Sequence, residues 1–270
     1  MSADLVEAQP EFSSPPVARW RWWVHLILIG GYFVPATVLH RAGPRPLMTN
    51  TARGLLIVAG VDFLVFAAVF AIGIAFSRAT PDALYLRWRP GWWVVPLGLG
   101  YSVAMRIAVA IVMIPIVIFV LITVALANGD AKHFMLTHQP RFEHLLNLTA
   151  LSSSPAYYWL TITVISLMSA GVREELWRVG TLAGLRALFP TAFDSTKGRI
   201  TAVALVAVLF GTAHIYLGFI GAIMAGILGF FLGVIIVGHR SVWPAVFAHW
   251  LLDATSFAAL PFLVKQLPHT

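Results

Sequence analysis

The chain has 270 residues, of which 59% are apolar and only 11% charged, and its mean hydropathy is +0.85. Soluble domains carry about 25% charged residues, so this composition excludes an ordinary soluble fold. The net charge of +7 comes from dispersed basic residues, which suit anionic headgroups beside membrane helices and argue against a nucleic-acid surface. The absence of cysteine excludes disulfides, thiolate metal sites and a cysteine nucleophile. What remains is an all-α, polytopic transmembrane helix bundle whose first partners are membrane lipids.

Residues 1–19 hold Asp4, Glu7 and Glu11 with Pro10, Pro15 and Pro16. That is neither the basic start of a signal peptide nor a helix, and it predicts a short disordered tail. Arg19-Trp20-Arg21-Trp22-Trp23 reads as an interfacial anchor, because Trp and Arg favour the headgroup level. It opens a first span at about 22–40. A loop at 41–53 with Arg41, Arg45 and Arg53 leads to a second span at about 54–77, which contains Asp62. The next loop, 78–91, carries Arg78, Arg87 and Arg89.

Residues 92–127 are continuously apolar. As one helix they would measure about 54 Å, well beyond a hydrocarbon core of about 30 Å. They fit either one long helix kinked near Pro96 or Pro115 or an interfacial helix followed by a span. Residues 128–155 are polar and form the largest loop, with His133, His138 and His144 expected to be solvated.

The second half is denser in polar groups. One helix runs from about 156 to 188 and carries Arg173-Glu174-Glu175-Leu176-Trp177-Arg178 near its middle. Another, about 199–216, ends near His214. A third, about 218–238, has small residues four apart, Ala222 with Gly226 and Gly229 with Gly233. That spacing lets helix backbones approach closely in lipid and places this helix inside the bundle. A last span, about 242–264, contains His249 and Asp253. The count is seven spans, or eight if 92–127 divides. The expected organisation is a tail at 1–19, membrane helices and a polar loop at 20–155, and a polar-bearing helical unit at 156–264. With seven spans, nine Lys and Arg fall on the N-terminal side and six on the other, which predicts a cytoplasmic N-terminus.

A charge at the centre of a membrane helix costs about 2.5–3.5 kcal/mol on insertion scales, so it needs a partner, water or a task. Glu174 and Arg178 stand at i,i+4, and Glu175 and Arg178 at i,i+3, so either glutamate can pair with the arginine. Adjacent glutamates point about 100° apart. One can hold Arg178 while the other faces a polar cavity inside the membrane. A self-satisfied ion-pair patch is the structural alternative. Phe210 and His214 share a helix face, where the imidazole can be a packed core residue or a reacting one. His249 and Asp253 are again i,i+4, and a local hydrogen bond could orient the ring. Together, two glutamates, two histidines and an aspartate can supply a water-activating base and oxyanion stabilisation. They also suit zinc, with Glu174, His214, His249 and Asp253 as its ligands. No His-Glu-x-x-His motif is present. Asp62 and Arg106 could pair with one another or snorkel.

The ordered set Glu174-Glu175, Phe210-x-x-x-His214 and His249-x-x-x-Asp253 resembles the signatures of the CAAX-processing and bacteriocin-processing (CPBP, or type II CAAX protease) intramembrane endopeptidases. The likeness covers about residues 160–256. It implies a helical bundle with an intramembrane polar site and hydrolysis of a membrane-anchored peptide, which in eukaryotic members is a prenylated CAAX tail. It further implies Glu174 as the base, His214 as its partner, and His249 with Asp253 as oxyanion stabilisers. Both a zinc mechanism and a metal-free glutamate mechanism are compatible with it. Two positions depart from the pattern. Val179 stands where the family carries Arg, with Arg178 one residue early, and Asp253 stands where Asn is common. Arg178 therefore either reaches Glu175 at i+3, or the glutamates exchange roles, or the site is impaired. A silent scaffold or bacteriocin self-immunity protein of the same fold is the alternative from another class, and a transporter with a carboxylate–histidine relay is a third.

Overall fold

The computed structural model describes residues 17–34 and 49–266. The expected tail up to residue 16, the end of the expected first span (35–40) and most of the first loop lie outside the described residues. Among the described residues every regular element is helical.

Six helices are long and apolar enough to cross a membrane. In chain order the elements are α1 (Arg19–Gly30), α2 (Ala52–Ser77), α3 (Val94–Leu126), α4 (Ala131–His138), α5 (Leu148–Ser153), α6 (Pro155–Leu188), α7 (Pro190–Phe193), α8 (Thr196–Ala213), α9 (Phe219–His239) and α10 (Trp243–Gln266). The candidate spanning helices are α2, α3, α6, α8, α9 and α10. The first expected span is represented only by α1 and the residues up to 34. The 92–127 run does not divide: after one short turn it is a single helix of 33 residues with Pro115 inside it, about 50 Å long.

Capping explains most of the boundaries. Thr51, Asp130, Asn147, Ser154 and Ser195 each accept a backbone N–H from the first turn of the helix that follows. Arg78 and Arg240 end α2 and α9 in the left-handed conformation. Trp243 fastens the start of α10 by donating Nε1–H to the Leu86 carbonyl, and its ring packs on Trp88. This tryptophan cluster and the exposed Trp92 and Trp93 form an interfacial rim.

α6 is not a uniform helix. Residues Thr161–Glu174 are wound as a π-helix, and α-helical winding resumes at Glu175. The Ser166 hydroxyl accordingly donates to the carbonyl five residues back, Thr161 O, at 2.7 Å. Wide turns of this kind recur at functional sites. Here the change of winding falls between the two adjacent glutamates.

Close helix approach sets the frame. α10 packs against both the π-helical part of α6 and α3, α8 packs on α9, and α1 packs on α2 and on the second half of α6. The small-residue face of α9 meets α8 as the spacing predicted. A Cβ on Gly211 would lie 2.7 Å from the Ala222 carbonyl oxygen, a backbone contact that cannot give way. A Cβ on Gly171 would come 3.1 Å from the Val246 carbonyl oxygen, so glycine lets α6 lie close against α10. The core then forms around Trp177, Val206 and Phe210 on one side and Val179, Leu232, Ile236 and Ala245 on the other.

Candidate active site

The functional candidates come from three helices, and the fold brings them together. Glu174 and Glu175 lie at the winding change of α6, His214 is the residue that ends α8, and His249 and Asp253 are one turn apart on α10.

Glu174 is the hub. Its Oε1 is 3.9 Å from His214 Nε2, and its Oε2 is 3.8 Å from His249 Nε2. Asp253 Oδ1 stands 4.0 Å from the same His249 nitrogen. All four side chains therefore face one small volume. The separations exceed direct hydrogen-bond length yet allow a single water to bond two groups at once.

Glu175 points elsewhere, as expected for a neighbour about 100° around the helix. It is fully buried, pairs with Arg178 at i,i+3, and accepts the His249 Nδ1–H at 2.7 Å. Arg178 is also fully buried, and its guanidinium lies 4.6 Å from the centre of the Phe210 ring, a favourable cation–π position. The same ring packs 4.4 Å from the His214 ring. Of the three outcomes left open for Arg178, the first is observed: it holds Glu175 and leaves Glu174 free to face the histidines. Val179 is fully buried in the apolar core beside Ile236 and Ala245.

The histidine tautomers follow from their partners. His214 Nδ1 lies 2.8 Å from the Phe210 carbonyl, which can only accept. Nδ1 therefore carries the proton, and in the neutral ring Nε2 presents a lone pair toward Glu174. The ring of His249 is oriented by Glu175, not by Asp253. The expected local hydrogen bond across i,i+4 is replaced by a bond to another helix, because Nδ1 faces α6 and only Nε2 faces Asp253.

Several neighbours were not assigned from the sequence. Asp62 of α2 pairs with Arg173, and Arg173 Nη2 reaches Glu174 Oε1 at 3.3 Å. Tyr32 donates its hydroxyl to Asp62 at 2.9 Å, and Phe33 lies under the Arg173 guanidinium at 5.4 Å. The two opposite charges, both inside apolar runs, were the only signal in the sequence. Tyr216 packs beside His214 with ring centres 5.8 Å apart. His144 donates Nδ1–H to the Tyr216 carbonyl at 2.8 Å, and the Arg141 backbone N–H bonds to Leu217 O at 3.0 Å. The large polar loop thus folds back onto the end of α8, and His144 is not simply solvated. Arg106 does not pair with Asp62. It crosses from α3 to α10 and bonds the Leu252 carbonyl at 2.7 Å.

The arrangement gives zinc no support. Among the described residues no group of three or more His, Asp or Glu converges closely enough to hold a metal ion.

Residues 155–255 match the family model for type II CAAX prenyl endopeptidases, Rce1-like. That segment contains both glutamates, both histidines and Asp253. Over this segment the chain is similar to the CPBP family. That likeness to a protease family supports a hydrolase, and the six apolar helices fit an integral, multi-pass membrane protein. No curated protein and no solved structure matches the chain.

Proposed function

We propose that this protein is an intramembrane endopeptidase that hydrolyses a peptide bond of a membrane-anchored, prenylated CAAX-type substrate through a glutamate-activated water. The observation that carries the reading is the convergence of Glu174 with His214 and His249 at 3.8–3.9 Å. A water between Glu174 and His214 Nε2 would donate one hydrogen to each and keep a lone pair for attack. Its oxygen bonds to the carbonyl carbon as its proton passes to Glu174. The carbonyl oxygen takes up the negative charge and accepts the His249 Nε2–H. With Nδ1–H held by Glu175, Nε2 donates only when the ring is doubly protonated, a form that the neighbouring carboxylates Glu175 and Asp253 favour. Asp253, beside the same nitrogen, balances the imidazolium. Collapse breaks the C–N bond, and Glu174 returns its proton to the departing amine.

Glu175, Arg178 and Phe210 position these groups and do not touch the substrate. Arg173, held by Asp62, Tyr32 and Phe33, orients Glu174. The pairing of Arg178 with Glu175 counts against a silent scaffold, whose main support was the valine at position 179. Counted over seven spans, the positive charge bias on the N-terminal side supports a cytoplasmic N-terminus, and reporter fusions at the two ends would test it.

Incubation of the purified protein with a prenylated CAAX peptide, read by mass spectrometry, tests the reading. Release of the C-terminal fragment is expected, and it should vanish in His214→Ala while the variant remains folded in detergent. Persistent release in that variant would remove His214 from the mechanism, and no release by the unmutated protein would overturn the endopeptidase reading for this substrate class.

A further inference from the structure

Arg106 lies inside the membrane-spanning part of α3 and has no place in the chemistry above. Its contacts explain how it is tolerated. Nη1 donates to the Ser102 carbonyl at 3.1 Å and to its hydroxyl at 2.6 Å, while Nη2 donates to Leu252 O at 2.7 Å, to the Thr255 hydroxyl and to Ser256 Oγ at 3.4 Å. The Thr255 and Ser256 hydroxyls spend their own hydrogens on the carbonyls of Leu251 and Leu252. Every acceptor around the guanidinium is therefore neutral. Among the described residues no carboxylate lies within ion-pair distance of it, although Asp253 acts on it electrostatically. Nε–H has no hydrogen-bond partner among them. A cation in this setting has its hydrogen bonds largely met but no carboxylate in contact with it.

The guanidinium also forms the one charged spot in a cleft of about 530 Å³. The apolar walls include Val103, Phe142, Phe257, Leu260 and Leu263, with Thr255 and Ser256 beside the arginine. A cleft of that size can take a small ligand. Its shape and chemistry suit an apolar group that ends in an anion. The cleft adjoins the candidate site, since Ser256 and Asp253 are three residues apart on α10 and share a face, about 5–6 Å between Cβ atoms.

The geometry points to a substrate-binding site in which Arg106 receives the free C-terminal carboxylate of the peptide and the apolar walls take its last side chains. This inference rests on the endopeptidase reading. It makes Arg106 a specificity determinant. The scissile bond lies at Glu174, and the carboxylate lies a few residues beyond it, since an extended chain advances about 3.3–3.6 Å per residue.

The test uses full-length protein carrying Glu174→Ala, so that bound peptide is not cleaved. The probes are a fluorescent prenylated CAAX peptide with a free carboxylate and the same peptide as its C-terminal amide, with binding read by anisotropy in detergent. The acid should bind about tenfold or more tighter, the scale of a charge-assisted hydrogen bond. Arg106→Gln on that background should reduce the acid to the affinity of the amide, and Arg106→Lys should retain part of the difference. Equal or absent binding of the two peptides overturns the assignment, and that comparison stands even where Arg106→Gln fails to fold. Oleate supplies the same carboxylate from a lipid: Arg106-dependent oleate binding without an acid–amide difference would make the cleft a lipid site and overturn the peptide assignment. Failure of the unmutated protein to cleave the acid peptide counts against the endopeptidase reading alone.

Discussion

His249 donates Nδ1–H to Glu175 at 2.7 Å, while its other ring nitrogen stands 3.8 Å from Glu174. One imidazole thus bridges two adjacent carboxylates and separates their tasks. Glu175, buried and paired with Arg178, fixes the ring. Glu174, on the next face of α6, is left with oxygens directed at both histidines. The exchange of winding from π to α between these residues, and the close approach of α10 at Gly171, place the pair against the ring.

Val179→Arg would restore the arginine found at that position in the family, and simple pattern matching would expect a gain. The opposite is expected here. Position 179 is buried among Leu232, Ile236 and Ala245, and Glu175 already has its guanidinium. An unpaired buried charge costs several kcal/mol, about 3–5 when a pair is broken by removing one partner. Thermal unfolding in detergent should show a large drop in midpoint, with activity falling in step.

Asp62→Asn removes the negative partner of Arg173 without changing its size. Arg173 is then free to swing fully onto Glu174 and occupy the oxygen that faces His214. The expected result is a fall in kcat of about tenfold or more with little change in KM, as for a group that acts on the base and not on substrate binding. A fall in kcat matched by an equal loss of folded protein, read by thermal unfolding in detergent, would mean that Asp62 supports only the fold.

Gly211→Ala tests how the α8–α9 contact positions His214. The new methyl would meet the Ala222 carbonyl oxygen at 2.7 Å, so the helices must separate by several tenths of an ångström. Phe210 and His214 lie on the displaced end of α8. Overpacking of this kind costs about 1–3 kcal/mol, and the cleavage rate should fall by more than the loss of stability accounts for. Unfolding midpoints and initial rates on the same preparations check this.

Chelation separates the two chemistries once open for these residues. The carboxylate and imidazole groups do not converge as a metal set among the described residues, and hydrolysis should therefore survive prolonged EDTA treatment and dialysis. A rate that disappears with EDTA and returns with zinc would require a rearranged site.

The helical bundle was legible because membrane spans are written in composition. Runs such as 54–77 and 218–238 admit few other readings, and the small residues of α9 announced its close packing. Glu174, His214 and His249 were legible as a group because polar side chains in apolar helices are rare. The assignment of partners was not. Whether Arg178 held Glu174 or Glu175 depended on local winding, and a 14-residue π-helix leaves no periodic signature in so apolar a segment. The Asp62–Arg173 pair joins residues 111 positions apart, and only tertiary packing could match them. The sequence offered Asp253 as one possible orienting partner of His249, because four residues on one helix is the nearest spacing, whereas the fold supplies Glu175 from across the interface.

The central claim is that Glu174 is the base and Glu175 is not. The most direct measurement is cleavage of a prenylated CAAX peptide by purified Glu174→Gln and Glu175→Gln proteins, each verified as folded in detergent. Glu174→Gln should abolish turnover, since an amide cannot accept the proton of water. Glu175→Gln should retain measurable turnover, since an amide oxygen can still accept the His249 Nδ1–H. Retained cleavage in Glu174→Gln, or loss in Glu175→Gln alone, would contradict the account.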